Sequence, residues 1–231
     1  LTLSFGATLD EGVEAFEKGD YKTALIIFED LASKNDTKAK FNLGIIYYNG
    51  YGVKQDYKKA LEWYEKVADE GLKEAQFNVG VMYNNGEGVK QDYKKAIEWY
   101  EKAAAQGYAP AQSNLGSMYN FGHGVKQDYL IAKKWYEKSA AQGFIVAQHN
   151  LGVLYAKGLG VKQDYKKAKE WFEKAAAQGY LGAQYNLGLM YFDGLGVKQD
   201  FKKAKELFGK ACDGGEQMGC DNYKKLNQQG Y

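Results

Sequence analysis

Gly88-Val89-Lys90-Gln91-Asp92-Tyr93 is the stretch that decides the fold, because the chain keeps returning to it. The same run, or one with a single aromatic swap, begins at Gly52, Gly124, Gly160 and Gly196, a constant step of 36 residues (124 − 88 = 36). A fixed period in this range marks a solenoid of stacked supersecondary units, none able to bury its apolar face alone. Solenoids usually present a long surface to a partner, so the chain reads first as a binding module.

Around that stretch, one unit can be read physically. Ala75, Val79, Met82, Tyr83 and Gly86 fall at helical spacing and give one apolar face. Gly86 stops this first helix, since glycine takes the left-handed cap conformation without a Cβ penalty. Glu87 to Gln91 form a loop, and Asp92 stands where an N-cap belongs. A second helix then runs from Tyr93 to about Gln106, with Ala96, Trp99, Tyr100 and Ala103 on its buried side and Gly107 ending it. Gly80 sits inside the first helix at a cost of about 1 kcal/mol relative to Ala. It recurs as Gly44, Gly116, Gly152 and Gly188, so a large group is expected to press on it, Tyr100 and its equivalents first.

The pattern Ala-Gln-x-Asn-Leu/Val-Gly-x-x-Tyr-x-x-Gly-x-Gly-Val-x-x-Asp-x-x-x-Ala-x-x-Trp-Tyr/Phe-x-x-Ala-Ala-x-x-Gly runs from Ala39 to about Gly215. It resembles the Sel1-like repeat family, relatives of tetratricopeptide repeats. That resemblance implies an all-α, right-handed superhelical solenoid of antiparallel helix pairs. The expected organisation is an N-terminal segment (1–9), a tetratricopeptide-like hairpin (10–36), five repeats (37–216) and a C-terminal capping helix (217–231).

Spacing places Glu74, Phe77, Asn78, Val81, Asn84 and Asn85 on the face of the first helix away from its core. The resemblance implies that first helices line a concave groove binding a peptide or protein segment. The matching asparagine of peptide-binding tetratricopeptide domains bonds a ligand backbone, which carries over to Asn42, Asn78, Asn114, Asn150 and Asn186. The alternative is that these asparagines hold neighbouring first helices together. Other groove positions vary while the core stays fixed: Phe41, Phe77, Val81, Phe121, His149, Tyr185 and Phe192 are the candidate contacts. Large apolar groups in a groove suit a binding site, unless neighbouring units shield them.

Cys212 replaces the Ala of earlier units (Ala68, Ala104, Ala140, Ala176), and Cys220 replaces their Gln (Gln76, Gln112, Gln148, Gln184). The two positions face each other across the turn between repeats. A bond there would close a loop of about nine residues, worth roughly 2–3 kcal/mol. The arrangement is similar to the inter-helix disulfide of the Helicobacter cysteine-rich proteins, though here it occurs once. Two buried free thiols are the alternative. A disulfide would imply an oxidising compartment, periplasmic or secreted.

The remaining composition mainly excludes. The 31 basic and 29 acidic residues leave a net charge of +2 with no basic block, against a nucleic-acid binder. No apolar run approaches the ~18 residues of a membrane span, so no membrane insertion is expected. No serine has Lys three residues later, and Ser-Asp-Asn and Lys-Thr-Gly are absent, which removes the serine β-lactamase apparatus. Gly86 and Gly88 lack the third glycine of a nucleotide fingerprint. His123 and His149 are not in ligand spacing with either cysteine, against zinc. The expectation is a monomeric, non-enzymatic scaffold without cofactor or metal, the alternative a cell-wall-related enzyme or carbohydrate-binding protein. Leu1–Ala7 ends in small residues as a signal-peptide tail does, although Phe5 fits poorly three positions before a cut after Ala7.

Overall fold

The computed structural model describes residues 6–231. The signal-peptide reading rests mainly on residues 1–5, which lie outside that range. The described residues form thirteen α-helices and no strand. An N-terminal hairpin holds α1 (Leu9–Glu17) and α2 (Tyr21–Ser33). Five pairs follow: α3 (Thr37–Asn49) with α4 (Tyr57–Asp69), α5 (Lys73–Asn85) with α6 (Tyr93–Ala105), and α7 (Ala109–Phe121) with α8 (Tyr129–Ala140). Then come α9 (Ile145–Lys157) with α10 (Tyr165–Ala177) and α11 (Leu181–Asp193) with α12 (Phe201–Asp213), before the last helix, α13 (Gln217–Gln228). The chain divides into two compact units, one running to Ala111 and one from Gln112 to Tyr231.

The Gln-Asp step of the repeated stretch is a double cap. Asp92, extended at the N-cap, accepts from the Lys94 and Lys95 amides at 3.0 and 3.1 Å. Asp56, Asp128, Asp164 and Asp200 do the same for their own helices. Such a cap is worth about 1 kcal/mol. The Gln before each Asp works backwards, on the helix just ended. Gln91 Nε2 donates to the Asn84 carbonyl at 2.7 Å, and Gln55, Gln127, Gln163 and Gln199 repeat this at 2.7–2.8 Å. Gly86 closes α5 in the left-handed region, φ 76°.

The mid-helix glycines meet rings, as expected. A Cβ on Gly80 would lie 2.6 Å from the Tyr100 ring, and one on Gly116 or Gly152 would lie 2.5 Å from Tyr136 or Phe172. Gly44 and Gly188 face Tyr64 and Phe208 in the same way. Gly12 repeats the device in the N-terminal hairpin, 2.6 Å from Phe28. These rings are among the most buried side chains, Tyr100 and Phe172 at 1% and 2% exposure. One expected core position is different: Trp99 is only half-buried, with the Lys102 ammonium 3.6 Å above its ring, and Ile97 takes the core place instead. A large indole on the flank of α6 is better placed to shelter a lysine stem than to fill the narrow inter-helix space.

A recurring polar staple sits at the start of the first helices, with one partner in the preceding pair and the other at the end of the same pair's second helix. Gln76 is buried, donates to the Ala68 carbonyl at 3.1 Å, and accepts from Gln106 at 2.9 Å. Gln112 with Gln142 and Gln148 with Gln178 form the same amide pair at 2.9 Å. At the N-terminal end the two places hold Lys40 and Glu70, an ion pair at 2.5 Å with Lys40 buried. At the C-terminal end the carbonyl-bearing Ala and the Gln become Cys212 and Cys220. These are bonded, with Cα atoms 4.5 Å apart, and no free cysteine remains among the described residues. A hydrogen bond between repeats has been replaced by a covalent one.

Candidate functional site

The first helices carry their polar and aromatic side chains in register, so the candidate residues come together pair by pair. In the unit running to Ala111, Tyr48 from α3 and Phe77, Asn78 and Val81 from α5 line a pocket of about 220 Å³, with Tyr64 and Asn49. Its floor is polar. The Tyr64 hydroxyl is hydrogen-bonded to Asn78, and Tyr48 donates to Glu87 at 2.9 Å. Burial, then the Glu87 carboxylate, push the Tyr48 phenol up to about 12, so it stays a neutral donor at any physiological pH. The walls are aromatic: Phe77 packs on Tyr100 and Tyr108 at 5.8 and 5.4 Å. Phe41 packs on Tyr64 at 5.5 Å, and Asn42 is half-buried beside it in sequence.

In the unit from Gln112 the same positions are filled differently. His149, where α5 has Phe77, packs on Phe172 and Tyr180 at 5.6 and 4.9 Å. Asn186 on α11 reaches back to His149 on α9, its amide nitrogen 3.0 Å from Nε2. The neutral imidazole, the form that burial favours, can accept this bond at Nε2. This asparagine does join neighbouring first helices. Tyr185 packs on Phe208 and Phe192 on Phe201 and Phe208. Asn114 and Asn150 are half-buried, and Phe121 is 63% exposed, stacked on His123. Phe41, Phe77, His149, Tyr185 and Phe192 thus each pack on the ring that faces their repeat's glycine, whereas Phe121 does not.

Sequence reasoning did not bring Tyr64 or Asn49 into this site. Tyr64 was legible as a core ring over Gly44, but nothing in the spacing shows that its hydroxyl emerges at Asn78.

His149 gives the site a pH response. Burial lowers its pKa below the ordinary 6.5, and a hydrogen bond with Asn150 offsets this only in part. With the folded pKa below the unfolded one, the unfolded chain binds the extra proton. Stability is therefore unaffected well above 6.5 and falls as pH drops through that value towards the folded pKa. Replacing His149 by Phe, the residue at this place in α5, is expected to remove that component. Urea midpoints at pH 7 and pH 5 should converge more closely for the variant; equal pH dependence in both proteins would contradict it.

Comparison with known proteins identifies the repeat. The Sel1 repeat profile matches residues 37–72, 73–108, 109–144, 145–180 and 182–216. The chain belongs to the Sel1 repeat family. Sel1 repeat proteins are generally protein–protein interaction scaffolds and typically non-catalytic. A Sel1 repeat protein from Oxalobacter formigenes is similar over 96% of this chain and 98% of its own, at 32% identity and TM-score 0.87. The protective antigen c5321 of uropathogenic Escherichia coli is similar over 97% of this chain, at 34% identity and TM-score 0.84. This chain spans 52% of the antigen's length. Helicobacter pylori cysteine rich protein B aligns with 57% of this chain at 26% identity and TM-score 0.46. Comparison with curated protein sequences gives no match. In this Sel1 repeat protein, no helix of the described residues is long and apolar enough to cross a membrane, and no group of three potential metal ligands occurs among them.

Proposed function

We propose that this protein is a non-enzymatic scaffold whose first-helix face holds a peptide or protein segment in a groove. The pocket of Tyr48, Tyr64, Phe77, Asn78 and Val81 carries the reading: it pairs an apolar wall with hydrogen-bonding groups already held in place. Such a site suits one apolar side chain and the amide next to it. The asparagines in this reading serve both roles, bonded within the fold and offering their remaining amide atoms to the segment. Export from a bacterium, to meet envelope or host proteins, is supported by the Cys212–Cys220 bond, which persists in oxidising compartments.

A peptide selected from a random display library against the intact protein provides the test. Asn78→Ala with Val81→Glu is expected to weaken its binding at least tenfold, equivalent to about 1.4 kcal/mol. The Asn78 change should lower stability by only about 1 kcal/mol, one lost hydrogen bond. Unchanged affinity in the folded double variant would move binding off this face.

A further inference from the structure

A second kind of cavity lies on the loop side of the repeats, away from the first-helix face. One, of about 680 Å³, is lined by Lys54, Lys58 and Lys59 with Tyr47 and Tyr57. The other, of about 660 Å³, is its counterpart three repeats on, lined by Lys162, Lys166 and Lys167 with Tyr155 and Tyr165. Gly88 and Gly196 complete the two rims, each pressed so close to the preceding second helix that an added Cβ would lie 2.5 or 2.6 Å from Tyr57 or Tyr165.

Positive charge is in excess in these cavities, three lysines to one carboxylate in each lining. None of the six lysines is in an ion pair among the described residues, whereas Lys133, Lys169 and Lys210 further along the second helices each pair with a glutamate. The one carboxylate lining each cavity, Asp56 or Asp164, accepts from a backbone amide of its own helix at 3.0 Å. That bond takes up one of the helix's free amides, and the carboxylate offsets one of the three positive charges, so the attraction to an anion comes from the remaining excess of ammonium groups. The near balance of charge over the whole sequence conceals this local excess.

We propose that each cavity docks carboxylate side chains of an acidic polypeptide segment. A nucleic acid fits less well. The tyrosine rings that could stack on bases are engaged: Lys59 and Lys167 sit over Tyr47 and Tyr155 at 5.1 and 5.4 Å, and Gln55 and Gln163 donate to the Tyr57 and Tyr165 hydroxyls. The lysine pattern is also broken in the third repeat, where Leu130 and Ile131 replace two of the three. An evenly charged phosphate chain would favour an unbroken row; an acidic polypeptide can place carboxylates only where they are needed.

The test uses a fluorescent hexaglutamate peptide and fluorescence anisotropy at low and physiological salt, because exposed charges are screened. Binding is expected to weaken with salt, and hexaglutamine is expected not to bind. Reversing Lys54, Lys58, Lys162 and Lys166 to Glu should lower hexaglutamate affinity at least tenfold. Reversing Lys38, Lys134, Lys224 and Lys225, exposed lysines outside both cavities, changes net charge equally and should have a several-fold smaller effect. Circular dichroism confirms that both variants fold. Equal losses in the two variants, or equal binding of hexaglutamine, would overturn the proposal. Tighter binding of oligothymidylate, lost in the first variant alone, would assign the cavities to nucleic-acid phosphates instead.

Discussion

Replacing Gly152 by Val is expected to destabilise the protein by about 3 kcal/mol, the upper end of what overpacking a core costs. A Cβ at that position would lie 2.5 Å from the Phe172 ring, which is itself almost fully buried. The more discriminating variant is Gly152→Ala. On an uncrowded helix that change would stabilise by about 1 kcal/mol, since Ala is the better helix former. Here the ring must yield, so the sign should reverse and the variant should be less stable than the parent. Adding Phe172→Leu to Gly152→Ala makes room for the new methyl, and the pair should lose less than the two single losses combined. Repeat arrays need not unfold in one step, so the cycle is best read from hydrogen exchange of α9 and α10 amides. A stabilised Gly152→Ala variant would show that the ring does not hold the glycine.

The second large effect concerns the last helix. Cys212 and Cys220 stand where other repeats have an Ala carbonyl and a buried Gln, so two natural designs of the same joint can be compared. Opening the bond by reduction, or by Cys212→Ala with Cys220→Ala, is expected to cost α13 about 2–3 kcal/mol. Cys212→Ala with Cys220→Gln restores the hydrogen-bonded version and should recover about 1 kcal/mol of that loss. The stability order expected is disulfide, then Ala/Gln, then Ala/Ala, measured by urea unfolding with and without reductant. Identical transitions in the oxidised and reduced protein would mean that the bond does not fasten α13.

These predictions lean on features that were unevenly visible in the sequence. The period fixed which positions matter, and glycine inside a helix has few explanations, so the Gly80–Tyr100 contact could be read directly. Asp92 as a cap and the cysteine pair at an inter-repeat junction were legible for the same reason: each is a residue type with a narrow use at its place. The Gln of the repeated stretch was not. Gln91 reaches a carbonyl seven residues back across a loop, and neither helical nor strand periodicity describes that path. Periodicity also does not separate buried constancy from exposed constancy. Lys54 and Lys90 recur as faithfully as Ala60 and Ala96, yet they face solvent. The same limit applies to Phe77 and His149, whose spacing gave their helix face but not the rings from α6 and α10 that support them.

A photo-crosslinking amino acid at position 81 tests the central claim most directly, with the same substitution at Glu98, exposed on α6, as its counterpart. The library-selected peptide is added to each protein and irradiated. The account predicts a crosslink from position 81 that excess unlabelled peptide abolishes, and none from position 98. A competed crosslink from position 98 with none from position 81 would contradict it.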